Sequence, residues 1–598
     1  MTKVYPKWYS LDPSTDEGQH PILTRPLAVD PAMKFLMSQF SYFLSDRQAR
    51  RNLSSLRKYL YFLFGIVLLY SFLFHIVMDL VEGQQHSWLT GLYWTLTVMS
   101  TLGFGDITFD TDIGRVFSII VLGSGVFLLL IMLPFAFIRF FYAPWLEAQI
   151  RAKAPRRLPS QFRGHVIICR QDSITNGFIR KLQVNNIPYC IIEPDPAVAT
   201  QMVEDGYSVV SGEIDDPATY KAVNIGSARL LLANAEDPTN TNILLTVRSL
   251  SKSLPIIAIA ESVDSVDIFE LSGATYPLPL KVRLGEHLAT RVSAGIGTAH
   301  EVGRFKDLVI VEFLVHDTPL SGLSLRETEF RERTGMNVVG IWSSGHFHTV
   351  LPDQPLMDTC VPVAVGTPKQ VEKLNHLLGE GPSSTHEVLV IGGGEVGRST
   401  AASLKRRGVR VRLLDLNPDL QDELVPYCDE VIIGNAADRA TLERAGINEV
   451  NSVALTTNDD AQNIHLAVYC RRLRPQLGIV SRITRERNIE AIYRAGADFV
   501  LSYSSLGCEF VTAYLLGREP VMVGEGADFF SVEVPKSMLG RTLAQSGIGA
   551  KTGLTVIAIE DGDLTITNPS ANTILNKSAR LLMLGTNEQR EEFNQVFA

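Results

Sequence analysis

The sequence predicts two kinds of structure in one chain. An α-helical membrane domain with two spanning helices and a re-entrant helix between them is followed by two α/β domains, each a parallel sheet wrapped by helices with a small α+β lobe behind it. Three observations carry this. Two apolar runs of about spanning length, Tyr59 to Val81 and Val116 to Tyr142, flank a short glycine-containing string. The rest of the chain repeats itself at a spacing of about 222 residues. In the second repeat a β-branched run leads into Gly392-Gly393-Gly394-Glu395-Val396-Gly397 and then a helix-patterned stretch.

Composition sets the outer bounds. A chain of 598 residues is long enough for several domains. With 46% hydrophobic residues and a net charge of −9 it is neither a basic nucleic-acid binder nor an acidic disordered protein, and no nucleic acid partner is expected. The six cysteines (Cys169, Cys190, Cys360, Cys428, Cys470, Cys508) are scattered without a Cys-x-x-Cys pair, which reads as buried free thiols in a reducing compartment.

Residues 1–55 form an N-terminal segment without a signal-peptide layout, because the first long apolar run begins after Arg47, Arg50, Arg51, Arg57 and Lys58. Met33, Leu36, Met37, Phe40 and Leu44 are spaced for an amphipathic helix, on the membrane surface or packed on the protein. Residues 56–146 make the membrane domain. Its first run is interrupted by Ser71, His75 and Asp79 towards one end. Trp88 to Ser100 is apolar but about half the length of a crossing, which suits a re-entrant helix. Directly after it stands Thr101-Leu102-Gly103-Phe104-Gly105-Asp106. Its alternating glycines let the backbone turn its carbonyls inward, where several copies around one axis replace the hydration shell of a potassium ion. In the second run, Gly123, Gly125 and Pro134 make bending easy, while small residues also serve close helix packing. Arg139, Arg151, Lys153, Arg156 and Arg157 lie at or beyond the end of that run, and Glu82, Asp106, Asp110 and Asp112 lie between the runs. This asymmetry puts both termini in the cytoplasm. The basic, proline-containing residues 147–162 read as a linker leaving the bilayer.

In the repeat, His165-Val166-Ile167-Ile168-Cys169 matches Glu387-Val388-Leu389-Val390-Ile391, and Glu193 matches Asp415. Gly212 matches Gly434, Asp216 matches Asp438, and Gly273-Ala274 matches Gly496-Ala497. Each copy alternates short β-branched runs with helical stretches. In the second, the Gly-x-Gly-x-x-Gly string and Asp415 at the end of the next strand place amides at a helix N-terminus to cradle phosphates, with a carboxylate for ribose hydroxyls. In the first copy Arg170, Asp172 and Thr175 take the three glycine places. Their side chains obstruct a pyrophosphate and Asp172 repels it, so no dinucleotide is expected there in the same manner, although Arg170 is suited to a phosphate of a smaller ligand. Strand-rich stretches, Leu308 to about Val365 and Asp528 to about Gly585, follow the two halves.

The pore helix and the string from Thr101 to Asp106 resemble the two-helix potassium channels, and each repeat resembles the regulator-of-potassium-conductance (RCK) domain, a Rossmann-like N-lobe with a helical crossover and a small C-lobe. These repeats span 163–380 and 385–598. The whole resembles the prokaryotic ligand-gated potassium channels with tandem RCK domains. The resemblance implies a homotetramer in the inner (cytoplasmic) cell membrane, with eight RCK domains in a cytoplasmic ring and K+ passing a selectivity filter from Thr101 to Asp106. It implies a gating hinge at Gly123 and Gly125, with Gly125 in the family's hinge place. It also implies NAD, NADH or an adenine nucleotide in the second RCK domain, held by Gly392, Gly394, Glu395, Val396, Gly397, Asp415, Asn435, Ala436, Thr456, Thr457, Asn458 and Arg482. Calcium-gated relatives carry carboxylates after the fourth and fifth strands of the first domain; here Ala233 and Ile259 stand at two of those places and Glu261 alone is kept, short of the several oxygens Ca2+ requires. The competing readings are a membrane-tethered NAD-dependent enzyme and a regulatory subunit of another transporter. The first needs an acid/base constellation that the sequence does not offer, and both leave the filter string unexplained.

Overall fold

A computed structural model describes residues 47–143, 146, 153–293, 299–305, 307–313, 315, 318–343, 346–348, 351–357, 360–379, 387–521, 527–562, 564–567 and 569–597. The amphipathic stretch expected from Pro31 to Ser45 lies outside them. The chain divides into two compact units, the first ending at Lys153 and the second beginning at Ala154.

In the first unit, α1 (Arg47–Leu80) and α2 (Trp88–Met99) are followed by the filter string and α3 (Asp112–Gly125). Residues 54–80 and 112–140 are long and apolar enough to cross a membrane. The shorter α2 starts where the Ser87 side chain accepts from the Thr90 amide, and α3 starts where the Thr111 hydroxyl accepts from the Gly114 amide. Glu82 fixes the second start by accepting from both the amide (3.0 Å) and the hydroxyl (2.7 Å) of Thr111. Beyond Gly125 the helix widens into π-turns over Val126–Met132, recovers one α-turn over Leu133–Phe137, and widens again over Ile138–Tyr142. Pro134, which has no N–H to give, sits between the widened stretches. The Tyr59 hydroxyl donates to the Leu128 carbonyl inside the first of them. An aromatic core holds the three helices together: Trp94 lies 5.0 Å from Phe74, 5.2 Å from Phe109 and 5.6 Å from Phe117 between ring centroids.

The second unit contains two six-stranded parallel sheets. In the first copy β1 (Val166–Ile168), α4 (Ser173–Val184), β2 (Tyr189–Glu193), β3 (Val209–Ser211), β4 (Leu230–Ala233), α5 (Asp237–Leu250), β5 (Ile256–Ile259), β6 (Tyr276–Leu278) and α6 (Leu280–Val292) follow in order. The strands are arranged β3-β2-β1-β4-β5-β6. Its antiparallel lobe is β7 (His300–Phe305), β8 (Leu308–Glu312), β9 (Asn337–Ser343), β10 (His346–His348) and β11 (Val361–Gly366). The second copy repeats the parallel sheet with β12 (Glu387–Ile391), α7 (Glu395–Arg406), β13 (Arg410–Asp415), β14 (Glu430–Ile433), β15 (Ser452–Leu455), α8 (Asp460–Leu473), β16 (Gly478–Ile483), β17 (Phe499–Ser502) and α9 (Tyr503–Leu516), arranged β14-β13-β12-β15-β16-β17. Its lobe is β18 (Ala527–Glu533), β19 (Thr555–Asp561), β20 (Leu564–Thr567) and β21 (Ala579–Thr586). Strand order reverses between β1 and β4 and between β12 and β15, so each sheet opens a crevice at its carboxyl edge there.

The copies exchange their last crossover helices. α6 packs on α7, where Ser399 Oγ donates to the Val282 carbonyl at 2.8 Å and a Cβ on Gly285 would stand 2.6 Å from the Val396 carbonyl. α9 packs in turn on α4, with Gly507 against Ile174. One buried core therefore joins Val166, Phe178 and Leu284 to Val390, Val396 and Leu506. The lobes share a second core through Trp342, Val363, Phe529 and Leu582. Between these layers the buried Arg291 pairs with the buried Glu312 at 3.2 Å and lies over Phe499 at 4.1 Å.

From Ala154 onward the expected linker belongs to the second unit and is bonded to it: Ser211 donates its amide to the Pro155 carbonyl (2.7 Å), Leu158 to Ala222 (3.0 Å) and Gly164 to Ser227 (2.8 Å). Edge strand β3 offers its outer amide, and proline-rich chain, whose carbonyls remain available as acceptors, fits there.

Candidate functional site

The filter string is built by alternation. Thr101, Gly103 and Gly105 have φ of 63°, 42° and 76°. Their neighbours Leu102 and Phe104 are absent from the positive-φ residues, so the backbone alternates in hand. Such alternation turns successive carbonyls to one side, and only glycine adopts the left-handed values without strain, which leaves Thr101 as the strained member. All six residues from Thr101 to Asp106 are exposed in the single chain. Tyr93, midway along α2, donates its hydroxyl to Asp106 Oδ2 at 3.0 Å and stacks on Phe104 with ring centroids 6.5 Å apart. Gly125 is helical, and a Cβ there would lie 2.4 Å from the Met99 Cα, so it is where α3 meets the end of the pore helix. Nothing lies within 4 Å of a Cβ on Gly123. The widened turns begin directly after this pair of glycines.

In the second copy a cavity of about 170 Å³ opens at the crevice between β12 and β15. The predicted residues Gly392, Gly394, Asp415, Asn435, Ala436, Thr456, Thr457 and Asn458 line it, together with Ile391, Leu414, Leu416, Gly434 and Gln462, which the sequence reading did not single out. Glu395, Val396, Gly397 and Arg482 stand outside this lining. The glycines do different jobs. Gly392 has φ 109° with a Cβ position 3.0 Å from the Thr457 amide, and a Cβ on Gly397 would lie 1.8 Å from the Gly392 carbonyl, so both are demanded by the turn from strand to helix. Gly394 has φ −70° and open space at its Cβ position, and nothing in the fold requires it. The α7 N-terminus behind it has no side-chain cap. Its uncapped amides and the positive end of its dipole suit an anion. Asp415 braces the loop by accepting from the Gly393 amide (2.6 Å) through Oδ2 and from the Asn417 amide (2.8 Å) through Oδ1.

Arg482 reaches the cavity only through Asn458: it is 5% exposed and donates to Asn458 Oδ1 at 2.8 Å and to Thr484 Oγ1 at 2.7 Å. Its Nε is buried without a hydrogen-bond partner, and burial lowers its pKa.

The first copy serves as an internal comparison. Asp172 caps α4 with its own carboxylate, which accepts from the amides of Ile174 (3.0 Å) and Thr175 (2.9 Å). Asn234 closes the loop by donating to the Arg170 carbonyl at 2.7 Å. The loop after the fourth strand is one residue shorter here: three residues separate Ala233 from Asp237, while four separate Leu455 from Asp460. The two aspartates are equivalent, since Asp237 accepts from the Glu261 amide at 2.9 Å and Asp460 from the Thr484 amide at 2.7 Å. The added residue falls in the stretch that includes Asn458, and Ile259 occupies the place of Arg482. Glu261 stands in a region where, among the described residues, no group of three or more His, Cys, Asp or Glu is placed to hold a metal ion.

A membrane domain with a glycine-alternating string, joined to a tandem pair of dinucleotide-type domains, defines a membrane ion channel with attached regulatory domains. Comparison with known proteins gives the particular family. Residues 60–142 match the ion channel family, 166–278 and 388–503 each match the TrkA-N domain, and 529–598 match the TrkA-C domain. Potassium channel protein 1 of Methanocaldococcus jannaschii is 23% identical over 43% of this chain and 74% of its own length, and the probable potassium channel protein 2 of the same organism is 25% identical over 52% and 93%. The GsuK channel bound to NAD is 37% identical, with 91% of this chain and 99% of that chain covered and a TM-score of 0.54. The chain belongs to the potassium channels with RCK domains.

Proposed function

We propose that this chain is a nucleotide-gated channel conducting K+ across the inner membrane. Four copies surround one axis, with Thr101 to Asp106 as the filter, both termini in the cytoplasm and eight RCK domains in a ring. The exposure of all six filter residues in a single chain fits an axis shared with other copies. The proposed organisation is an N-terminal segment (1–55), a pore domain (56–146), a connecting segment (147–162) and RCK domains at 163–380 and 385–598.

The observation that carries nucleotide gating is Gly394, a glycine with room for a side chain and no backbone reason to be glycine, set before an uncapped helix N-terminus. A ligand phosphate against those amides explains both features. Asp415 is placed for ribose hydroxyls, and Arg482 reaches the cavity through Asn458. The NAD in the similar GsuK channel supports a dinucleotide as the ligand. The cavity is lined by amides, hydroxyls and apolar groups, with Asp415 engaged by two backbone amides, which supports a binding role for it. A tenfold preference of the ligand for one state of the ring supplies about 1.4 kcal/mol per site, and four sites supply roughly 5 to 6 kcal/mol, enough to move a two-state equilibrium from one side to the other.

Potassium flux from proteoliposomes, with and without NAD, NADH and ADP, tests this. Potassium-selective flux that responds to one of them is expected. Flux indifferent to all three returns the glycine loop to a structural role, and absence of flux overturns the channel reading.

A further inference from the structure

From Pro155 to Gly164 the chain ahead of the first α/β sheet is held to that sheet's domain. Besides the three backbone bonds to Ser211, Ala222 and Ser227, Asn224 donates its side-chain amide to the Pro159 carbonyl at 2.9 Å. Ala154 is buried, and Leu158 packs into the core beneath β3 and β4. The basic side chains of the same segment, Lys153, Arg156, Arg157 and Arg163, all point to solvent, and none joins an ion pair among the described residues. Glu213, Asp215 and Asp216 follow β3 on the same edge without pairing to them. In a chain of net charge −9, four free cations on an anchored strip stand out.

Lys153 follows Phe140, the end of the second apolar span, by 13 positions, so at most roughly 45 Å of extended chain separates them. Insertion topology is set by charges within about 15–20 residues of a span, which does not account for Arg163 or for the fixed backbone. We infer that residues 153–163 form a basic collar, fixed to the first RCK domain, that binds the phosphate-bearing headgroups of anionic lipids in the adjacent leaflet. This rests on the reading that the chain spans a membrane. Each cation near an anionic surface adds attraction that decays within a Debye length. Because the strip is bonded to β3 and to Ala222, Asn224 and Ser227 ahead of β4, a collar seated on lipid ties the first RCK domain to the bilayer.

The test is hydrogen exchange of the peptide covering 153–164 in the full-length protein, in nanodiscs of phosphatidylcholine alone or with phosphatidylglycerol added. Exchange severalfold slower with phosphatidylglycerol is expected, with the difference erased by high KCl and by R156Q/R157Q/R163Q. Equal exchange in both lipids overturns the proposal. Slowing produced by inorganic phosphate in phosphatidylcholine discs assigns the strip to a free anion instead and also overturns it. If the triple variant fails to fold, the salt dependence of the native protein decides. Nanodiscs expose both leaflets and no ion flux is read, so failure of the channel reading and failure of the collar remain separate outcomes.

Discussion

Arg482 donates to the side-chain oxygen of Asn458 at 2.8 Å from a position 5% exposed. A buried guanidinium held by a neutral amide and a hydroxyl, with one N–H unmet, has its burial only partly offset by the nearby charge of Asp460. Arg482→Met removes the guanidinium charge at similar volume. The variant is expected to melt at the same temperature or higher and to bind NAD about tenfold more weakly, a loss of about 1.4 kcal/mol. Calorimetric titration and a melting curve on the same sample check it, and unchanged affinity would leave Arg482 no part in the site.

The glycines of the α7 loop separate folding from binding. Gly394→Ala puts a methyl group into the cavity and costs the fold no more than about 1 kcal/mol, the difference between glycine and alanine at a helix N-cap. Gly397→Ala drives a methyl group into the Gly392 carbonyl and costs about 3 kcal/mol or more. Denaturant unfolding alongside nucleotide titration should therefore show a stable non-binder in the first case and an unstable protein in the second. The opposite ordering would remove Gly394 from the ligand site.

Acid should loosen the layer between the copies. Burial lowers His287 to about 3 and His300 to about 4, with Arg291 and Arg407 adding repulsion to both and Arg283 to His287. The unfolded imidazoles titrate near the ordinary histidine value of about 6.5. Between that pH and the folded values the unfolded chain binds more protons, so stability is full above about pH 6.5 and falls as pH drops towards 4. Each histidine contributes up to about 1.4 kcal/mol per pH unit in that window. His287→Gln should flatten the dependence of melting temperature on pH, and a native profile flat from pH 7 to 4.5 would contradict the assignment.

The repeat, the filter string, the glycine loop and Asp415 were legible because each depends on local chemistry: a left-handed backbone, a strand leading into a helix, a carboxylate at a strand end; Asn435, Ala436 and Thr456 to Asn458 came only from the family resemblance. Arg482 was legible only as a place in a family pattern, since its link to the cavity runs through Asn458. Gln462, on the first turn of α8, carried no signal of its own. The exchange of α6 and α9 was implied only by the crossover of the resembled family, because an amphipathic helix shows that it has an apolar face and not which sheet receives it. The single added residue beside Asn458 shows in the sequence as a step from a spacing of 222 at Gly212 and Gly434 to 223 at Gly273 and Gly496, and Asp237 and Asp460, which make the same backbone contacts, place it in the loop after the fourth strand. That the segment before the first sheet is bonded to it was not legible, because the sequence gives no sign that the Ser211 amide of β3 turns outward to the Pro155 carbonyl.

Tyr93 tests the filter itself. Its hydroxyl holds Asp106 and its ring stacks on Phe104, so one side chain of α2 grips the filter string at two points. Tyr93→Phe keeps the stacking and removes only the hydrogen bond to a carboxylate, worth about 1.5 kcal/mol net. That corresponds to about a tenfold shift between the ordered string and collapsed alternatives. Thr101 at φ 63° already strains the ordered form, which makes it sensitive to a loss of this size. The variant should assemble and open normally, then show sustained potassium flux that decays faster than in the native protein, with weaker selection of K+ over Na+. Flux through reconstituted protein over time, with either cation outside, reads both effects. Native-like sustained flux and selectivity would mean that the string keeps its shape without this tie, and that the packing of Met99 against Gly125 is what supports it.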